Sequence, residues 1–229
     1  MKKAKRITLL FFVAIMMLAV VATPAQAVSV GRRRNVSELK GTVAVYLRAK
    51  NPETANGWGA GWQSFYFKKG EVKNLKSSKT SVLDAHLYES EGQMVFTGNK
   101  PGTAKVTFKY NGKKRTVKVV VKRYVNAFKR LTIGGKSYKK GFNSLYDSTV
   151  SFKKLRGKKI SVAPAKGWKL VNIVFASGSH GDKLAAIRNN AKVPKKASYV
   201  IYITLQNKSN KGTITYILED NTTSLCSMP

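Results

Sequence analysis

The chain is poor in the residues that usually carry out chemistry. Among its 229 residues there is one cysteine, Cys226, and there are two histidines, His86 and His180. A lone cysteine cannot close an intrachain disulfide, so no staple holds the fold. Acids are scarce as well, 10 Asp and Glu against 43 Lys and Arg. Metal sites need His, Cys or carboxylate ligands clustered at set spacing. Ten scattered acids and one terminal thiol offer no such cluster, and no metal or cofactor is expected. Ser179-His180-Gly181-Asp182 brings a hydroxyl, an imidazole and an acid close in sequence. Catalytic triads are assembled by fold geometry rather than by adjacency, so this stretch reads as a turn. His86 lies in an expected strand. Gly57, Gly59 and Gly61 precede no helical pattern and therefore lack the context of a phosphate-cradling loop. Together these absences argue against an enzyme.

Long apolar runs are missing too, except at the start. Lys2, Lys3, Lys5 and Arg6 precede an apolar run over 7–22 interrupted only by Thr8, and Ala25-Gln26-Ala27 has the small-x-small form of a cleavage site. This is the anatomy of a secretory signal removed after Ala27. The run falls short of the ~20 residues a bilayer core requires. The mature chain is expected to be secreted and to contain no transmembrane segment. No cysteine stands at the cut, which excludes a lipoprotein anchor there. No sorting motif or C-terminal apolar tail is visible, and Arg32-Arg33-Arg34 reads as a solvated basic arm.

What is abundant is positive charge. The formal net charge is +33. It is spread evenly, with 20 basic and 6 acidic residues over 28–123, and 19 and 4 over 124–229. Such a field attracts polyanions, including teichoic acid, anionic glycans and nucleic acid. Lysine outnumbers arginine 33 to 10. Lysine is a hydrated point charge, whereas arginine supplies the planar fork of bidentate recognition. The balance points to diffuse attraction to anionic surface polymers and to no specific nucleic acid. A soluble surface without a dedicated partner is the competing reading of the same charge.

Apolar residues make up 43% of the chain, enough for a packed core. Their pattern is that of short strands punctuated by Gly, Asn, Asp and Ser. In 103–124, Ala104, Val106 and Phe108 alternate with Lys105, Thr107 and Lys109. Asn111-Gly112 then marks a type I′ hairpin turn, and Val117, Val119 and Val121 alternate on the return. A two-residue turn pairs Tyr110 with Lys113, Val106 with Val117 and Ala104 with Val119. It also sets Lys105 opposite Lys118 and Lys109 opposite Lys114, with Thr107 facing Thr116. Like charges placed directly opposite are destabilising. Further strands are expected over 42–48, 94–97, 160–162 and 168–175. A second hairpin is expected from 199–205 and 212–218. Helix is scarce: 182–191 could form two turns capped by Asp182, although a loop fits equally.

Two β-sandwiches in tandem follow, over 28–123 and 124–229, after a signal at 1–27. Asn74-Leu75-Lys76-Ser77-Ser78, then Phe96-Thr97-Gly98-Asn99-Lys100-Pro101-Gly102-Thr103-Ala104-Lys105-Val106-Thr107, then 113–121, resemble the latter part of a bacterial immunoglobulin-like domain of group 2. The Gly102-Thr103-Ala104 step is the distinctive element. The Gly57-Trp58-Gly59-Ala60-Gly61-Trp62 stretch departs from that pattern. The second half, with Gly134-Gly135-Lys136-Ser137-Tyr138 and Gly167-Trp168-Lys169-Leu170, resembles companion modules of secreted Gram-positive surface proteins. The resemblance implies a stalk or adhesion module with no catalytic residues to carry over.

Candidate ligand-binding residues are then Trp58 and Trp62, read as a loop able to stack on a sugar or base, and Lys105, Lys109, Lys114 and Lys118. Trp168 is expected in the core. Three functions compete: a cell-surface module associating with anionic polymers or carbohydrate, a dedicated polyanion binder, and a fragment of a glycan-active enzyme. Oligomeric state is not legible, nor is any pairing of Cys226 between chains.

Overall fold

In the computed structural model, residues 34–51, 60–177, 183–195 and 198–220 are described. The expected signal at 1–27, Trp58, His180 and Cys226 lie outside them. The elements are β1 (Thr42–Tyr46), β2 (Gly61–Tyr66), β3 (Val72–Ser77), β4 (Leu83–Tyr88), β5 (Gln93–Gly98), β6 (Gly102–Tyr110) and β7 (Lys113–Lys122). Then come β8 (Phe128–Ile133), β9 (Lys136–Ser137), β10 (Asp147–Val150), β11 (Ile160–Pro164), β12 (Trp168–Ser177), β13 (Lys183–Ala186), β14 (Ser198–Asn207) and β15 (Thr213–Asp220). Among the described residues there is no α-helix, only single 3-10 turns.

The strands form two sheet pairs of immunoglobulin-like sandwich character. In the first, β1-β7-β6-β3 faces β2-β5-β4; in the second, β10-β15-β14-β12-β13 faces β11-β8-β9. In each pair the last strand joins an earlier edge strand in parallel, β1 with β7 and β10 with β15, and the other ladders are antiparallel. Alternation supplies each pair with its own core. Val43, Val45, Phe65, Val72, Met94, Phe96, Val106, Phe108, Val117 and Val119 fill the first. Phe128, Leu131, Phe142, Phe152, Ile173, Phe175, Ile201, Ile203, Tyr216 and Leu218 fill the second. The Tyr216 hydroxyl, buried there, accepts from the Ala127 amide (2.7 Å) and donates to the Val125 carbonyl (2.8 Å). A buried tyrosine needs such partners for its polar end.

β1 is buried on both faces. Successive side chains point to opposite sides, so Val43 and Val45 enter the first core while Ala44 and Tyr46 enter the second. The two sheet pairs therefore meet at a seam. Tyr46 packs on Trp168 with ring centroids 5.1 Å apart, and its hydroxyl accepts from Asn210 Nδ2 (2.9 Å). The chain after β1 continues the contact: the Lys50 amide donates to Ser144 (2.8 Å) and the Tyr146 amide to Arg48 (2.9 Å). Two glycines make the approach possible. A Cβ at Gly61 would stand 1.7 Å from the Tyr46 carbonyl oxygen, and one at Gly212 would stand 2.8 Å from the Tyr46 ring. Gln63 completes the seam with its amide nitrogen toward the Ala44 carbonyl (2.9 Å) and its oxygen toward the Thr213 hydroxyl (3.3 Å).

Three expectations need correction. Residues 183–186 form β13, an edge strand on β12, and not a helix. Two helical turns are marginal alone, whereas the β12 edge offers ready hydrogen-bond partners. Trp62 sits on β2 and not in a loop. Trp168 is only partly buried, at the rim of the second core, because it faces the seam. β12 carries an irregularity. The register slips between Leu170 and Asn172, so Leu170 joins Ile173 and Phe175 at the core and Val171 falls at the irregularity. The second hairpin forms as read, β14 pairing Ile203 with Tyr216 and Leu205 with Ile214.

Candidate polyanion-binding face

The β6–β7 hairpin has the register expected from its turn. Asn111 (φ 51°) and Gly112 (φ 77°) both take the left-handed conformation of a type I′ turn. Tyr110 pairs with Lys113, Lys109 with Lys114, Thr107 with Thr116, Val106 with Val117, Lys105 with Lys118 and Ala104 with Val119. The inward set is buried, and Lys105, Lys109, Lys114 and Lys118 are exposed on the other face.

The neighbouring strand adds two lysines. β3 pairs Lys73 with Lys109 and Lys76 with Thr107, with a register shift between them. Asn74 at φ 56° accommodates the irregularity. The extra residue lets Lys73 and Lys76 both face outward while Leu75 packs toward the first core. Strict alternation would have put 73 and 75 on one face and 76 on the other, which is why the sequence reading missed this pair. The signal that could have revealed it is Asn74, a residue tolerant of positive φ inside an otherwise apolar-polar run.

The outward face is thus built in rows. Lys73, Lys109 and Lys114 form one. Lys76, Thr107 and Thr116 form the next, with the two threonine hydroxyls 3.4 Å apart. Lys105, Lys118 and Thr42 form the third. In the next row β7 and β1 present Val120 and Ala44, and there the seam takes over. Strands lie about 4.8 Å apart and rise about 3.4 Å per residue, so six ammonium groups occupy a patch of roughly 14 by 10 Å at their Cα positions. No Asp or Glu occupies any outward position of these rows. The nearest acid in sequence, Glu71, is engaged with the Lys68 amide (2.9 Å). Such a surface repels itself across every row that holds two lysines, and an anionic chain laid over it would relieve that repulsion.

The structure gathers all four predicted lysines but does not bring Trp62 to them. Trp62 belongs to the opposite sheet of the first pair, is 54% exposed, and stacks on the Arg48 guanidinium with 3.6 Å to its ring centroid. His86 is exposed on β4. Among the described residues no group of three or more His, Cys, Asp or Glu is placed to hold a metal, and no helix is long and apolar enough to cross a membrane.

No family model matches the chain, and no curated protein matches it. Among solved structures it is similar to domains 4–9 of the surface layer protein SbsC (14% identity, 80% of this chain, 30% of that chain, TM-score 0.30). It is also similar to SbsC domains 5–6 (16% identity, 84% of this chain, 95% of that chain, TM-score 0.24). A titin fragment of three immunoglobulin domains is a further match (12% identity, 80% of this chain, 64% of that chain, TM-score 0.24). The chain spans less than a third of the longer SbsC fragment and under two thirds of the titin fragment. At these identities and TM-scores the likeness assigns no function.

Proposed function

We propose that the chain is an exported, non-catalytic surface module that associates with anionic cell-surface polymers through the lysine face of its first sandwich. The observation that carries this reading is the set of six lysines on one sheet face, unaccompanied by any acid. Export rests on the basic, apolar and small-residue pattern of 1–27. Residues 28–123 and 124–229 act as two immunoglobulin-like domains, the first of the bacterial group 2 type. The ligand supplies regularly spaced phosphates or carboxylates and is bound by charge density, since lysine points carry no shape-reading fork. Teichoic acid fits this description.

The test is co-sedimentation of residues 28–229 with purified teichoic-acid-bearing cell walls across a salt series. Binding should fall steeply with salt and should vanish on walls stripped of teichoic acid. Binding that ignores salt, or that persists on stripped walls, would refute the electrostatic reading. Glycan hydrolysis lost in His180→Ala would replace it with the enzyme reading.

A further inference from the structure

The other sheet of the first sandwich has the opposite character to the lysine face. β2, β5 and β4 send Phe65, Met94, Phe96 and Leu83 into the core, so the alternate residues face outward. β2 shows Trp62, Ser64 and Tyr66 there, β4 shows Asp84, His86 and Tyr88, and Val95 stands at the centre of β5. None of the nine outward positions is Lys or Arg, although the chain holds 43 of them. Trp62 is 54% and Tyr88 46% exposed, two of the four large hydrophobic side chains exposed among the described residues. Depletion of lysine beside exposed Tyr and Trp is the composition of a protein–protein interface core.

The flanks of this face are charged, with opposite signs. β2 and β4 end, and β5 begins, in the row of Tyr66, Gln93 and Tyr88. Just beyond that row Lys68 and Lys69 follow β2, and Glu89 and Glu91 lie in the turn from β4 to β5; all four are exposed. A two-fold axis along β5, in the plane between two copies, lays β2 of one copy over β4 of the other. Tyr66 then meets the partner's Tyr88, and Trp62 brings its N–H to the partner's Asp84. Lys68 and Lys69 meet the partner's Glu89 and Glu91, and every contact is made twice. Such self-complementarity is what an isologous interface requires. Net charge does not forbid it. Packed sheets lie about 10 Å apart, so the lysine faces of the two copies stand roughly 30 Å from each other. The screening length at physiological salt is only about 8 Å.

We propose that the outward face of β2, β5 and β4 binds a second copy of this chain, face to face. The outward positions span roughly 10 by 14 Å at their Cα atoms. With side chains and the flanking turns this is about half of the roughly 800 Å² that each partner gives to a standard interface, so the dimer is a weak one. It leaves both lysine faces pointing outward on opposite sides. The inference is independent of polymer binding, which uses the other sheet.

Sedimentation equilibrium of residues 28–229 at physiological salt, up to about 1 mM protein, should show monomers and dimers with a Kd on the order of 0.1–1 mM. Tyr88→Ser should weaken association by about tenfold or more, and the exposure of Tyr88 means that the substitution spares the core. Glu89→Lys/Glu91→Lys and Lys68→Glu/Lys69→Glu should each be monomeric, because like charges then meet on both flanks. An equimolar mixture of the two should dimerise again. Thermal unfolding checks that every variant is folded. A parent chain that stays monomeric to about 1 mM overturns the proposal and leaves the face to a different protein. A folded Tyr88→Ser that dimerises like the parent also overturns it, as does a mixture that stays monomeric. Association weakened by Lys109→Gln/Lys114→Gln overturns it too, since the copies would then meet head to tail through the lysine face.

Discussion

Replacing Lys118 by glutamate should stabilise the fold and weaken polyanion binding in one step. Lys118 has a single charged cross-strand neighbour, Lys105 on β6, and its other neighbour is Thr42 on β1. The substitution turns one repulsive pair into one attractive pair and disturbs no other. Cross-strand pairs are worth about 0.2–1 kcal/mol each. Removing repulsion and adding attraction gives a gain of about 1 kcal/mol at low salt. That corresponds to a rise in Tm of about 2–8 °C, the lower end if both sandwiches unfold together and the upper if the first unfolds alone. The gain should shrink as salt rises, because the screening length falls from about 10 Å at 0.1 M to about 3 Å at 1 M. Urea denaturation at two salt concentrations measures it. In parallel, the slope of log K against log salt for a polyphosphate ligand should become shallower by roughly 1. Unchanged or reduced stability at low salt, together with unchanged affinity, would refute the claim that the lysines oppose each other while awaiting an anion.

Gly61→Ala should open the seam, because its Cβ would overlap the Tyr46 carbonyl oxygen at 1.7 Å. A loss of about 1–3 kcal/mol is expected, and circular dichroism melts would report it. The pH dependence carries its own sign. Burial raises the pKa of both Asp147 and Glu219 above their ordinary values of 3.8 and 4.5. The folded state thus binds these protons more tightly than the unfolded state. Their contribution to stability is present below the ordinary values and is lost as pH rises through the raised ones. The stability difference between Asp147→Asn/Glu219→Gln and the parent chain, followed by urea denaturation from neutral pH down toward pH ~4, should therefore move in favour of the parent. A pH-independent difference would show that neither carboxyl is perturbed.

Legibility in the sequence tracked how local the determining interaction was. The β6–β7 register was readable because Asn111-Gly112 fixes it from within the hairpin, and every pair inferred from that turn is present. Lys73 and Lys76 were not readable, since an irregularity at Asn74 breaks the period on which the inference relied. β1 was read as a strand over 42–48, and its Val43, Val45 and Leu47 face is the one that alternation shows. Its other face, Ala44 and Tyr46, is buried by residues such as Asn210 and Gly212, more than 160 positions away, and leaves no periodic mark. Nor does any period in the sequence mark the stacking of Arg48 on Tyr146 and Trp62, since only the fold brings the three together. The segment over 183–186 misled because helical pattern and edge pairing compete, and only the presence of β12 decides between them.

The most direct test compares two charge-neutralised proteins at equal net charge. One carries Lys105→Gln, Lys109→Gln, Lys114→Gln and Lys118→Gln; the other carries Lys136→Gln, Lys139→Gln, Lys140→Gln and Lys153→Gln in the second sheet pair. Affinity for teichoic-acid-bearing walls, measured against salt, should collapse and lose most of its salt slope in the first protein and stay near the parent's in the second. Equal losses in both would mean that net charge alone binds the polymer and that the face on β3, β6 and β7 is no site.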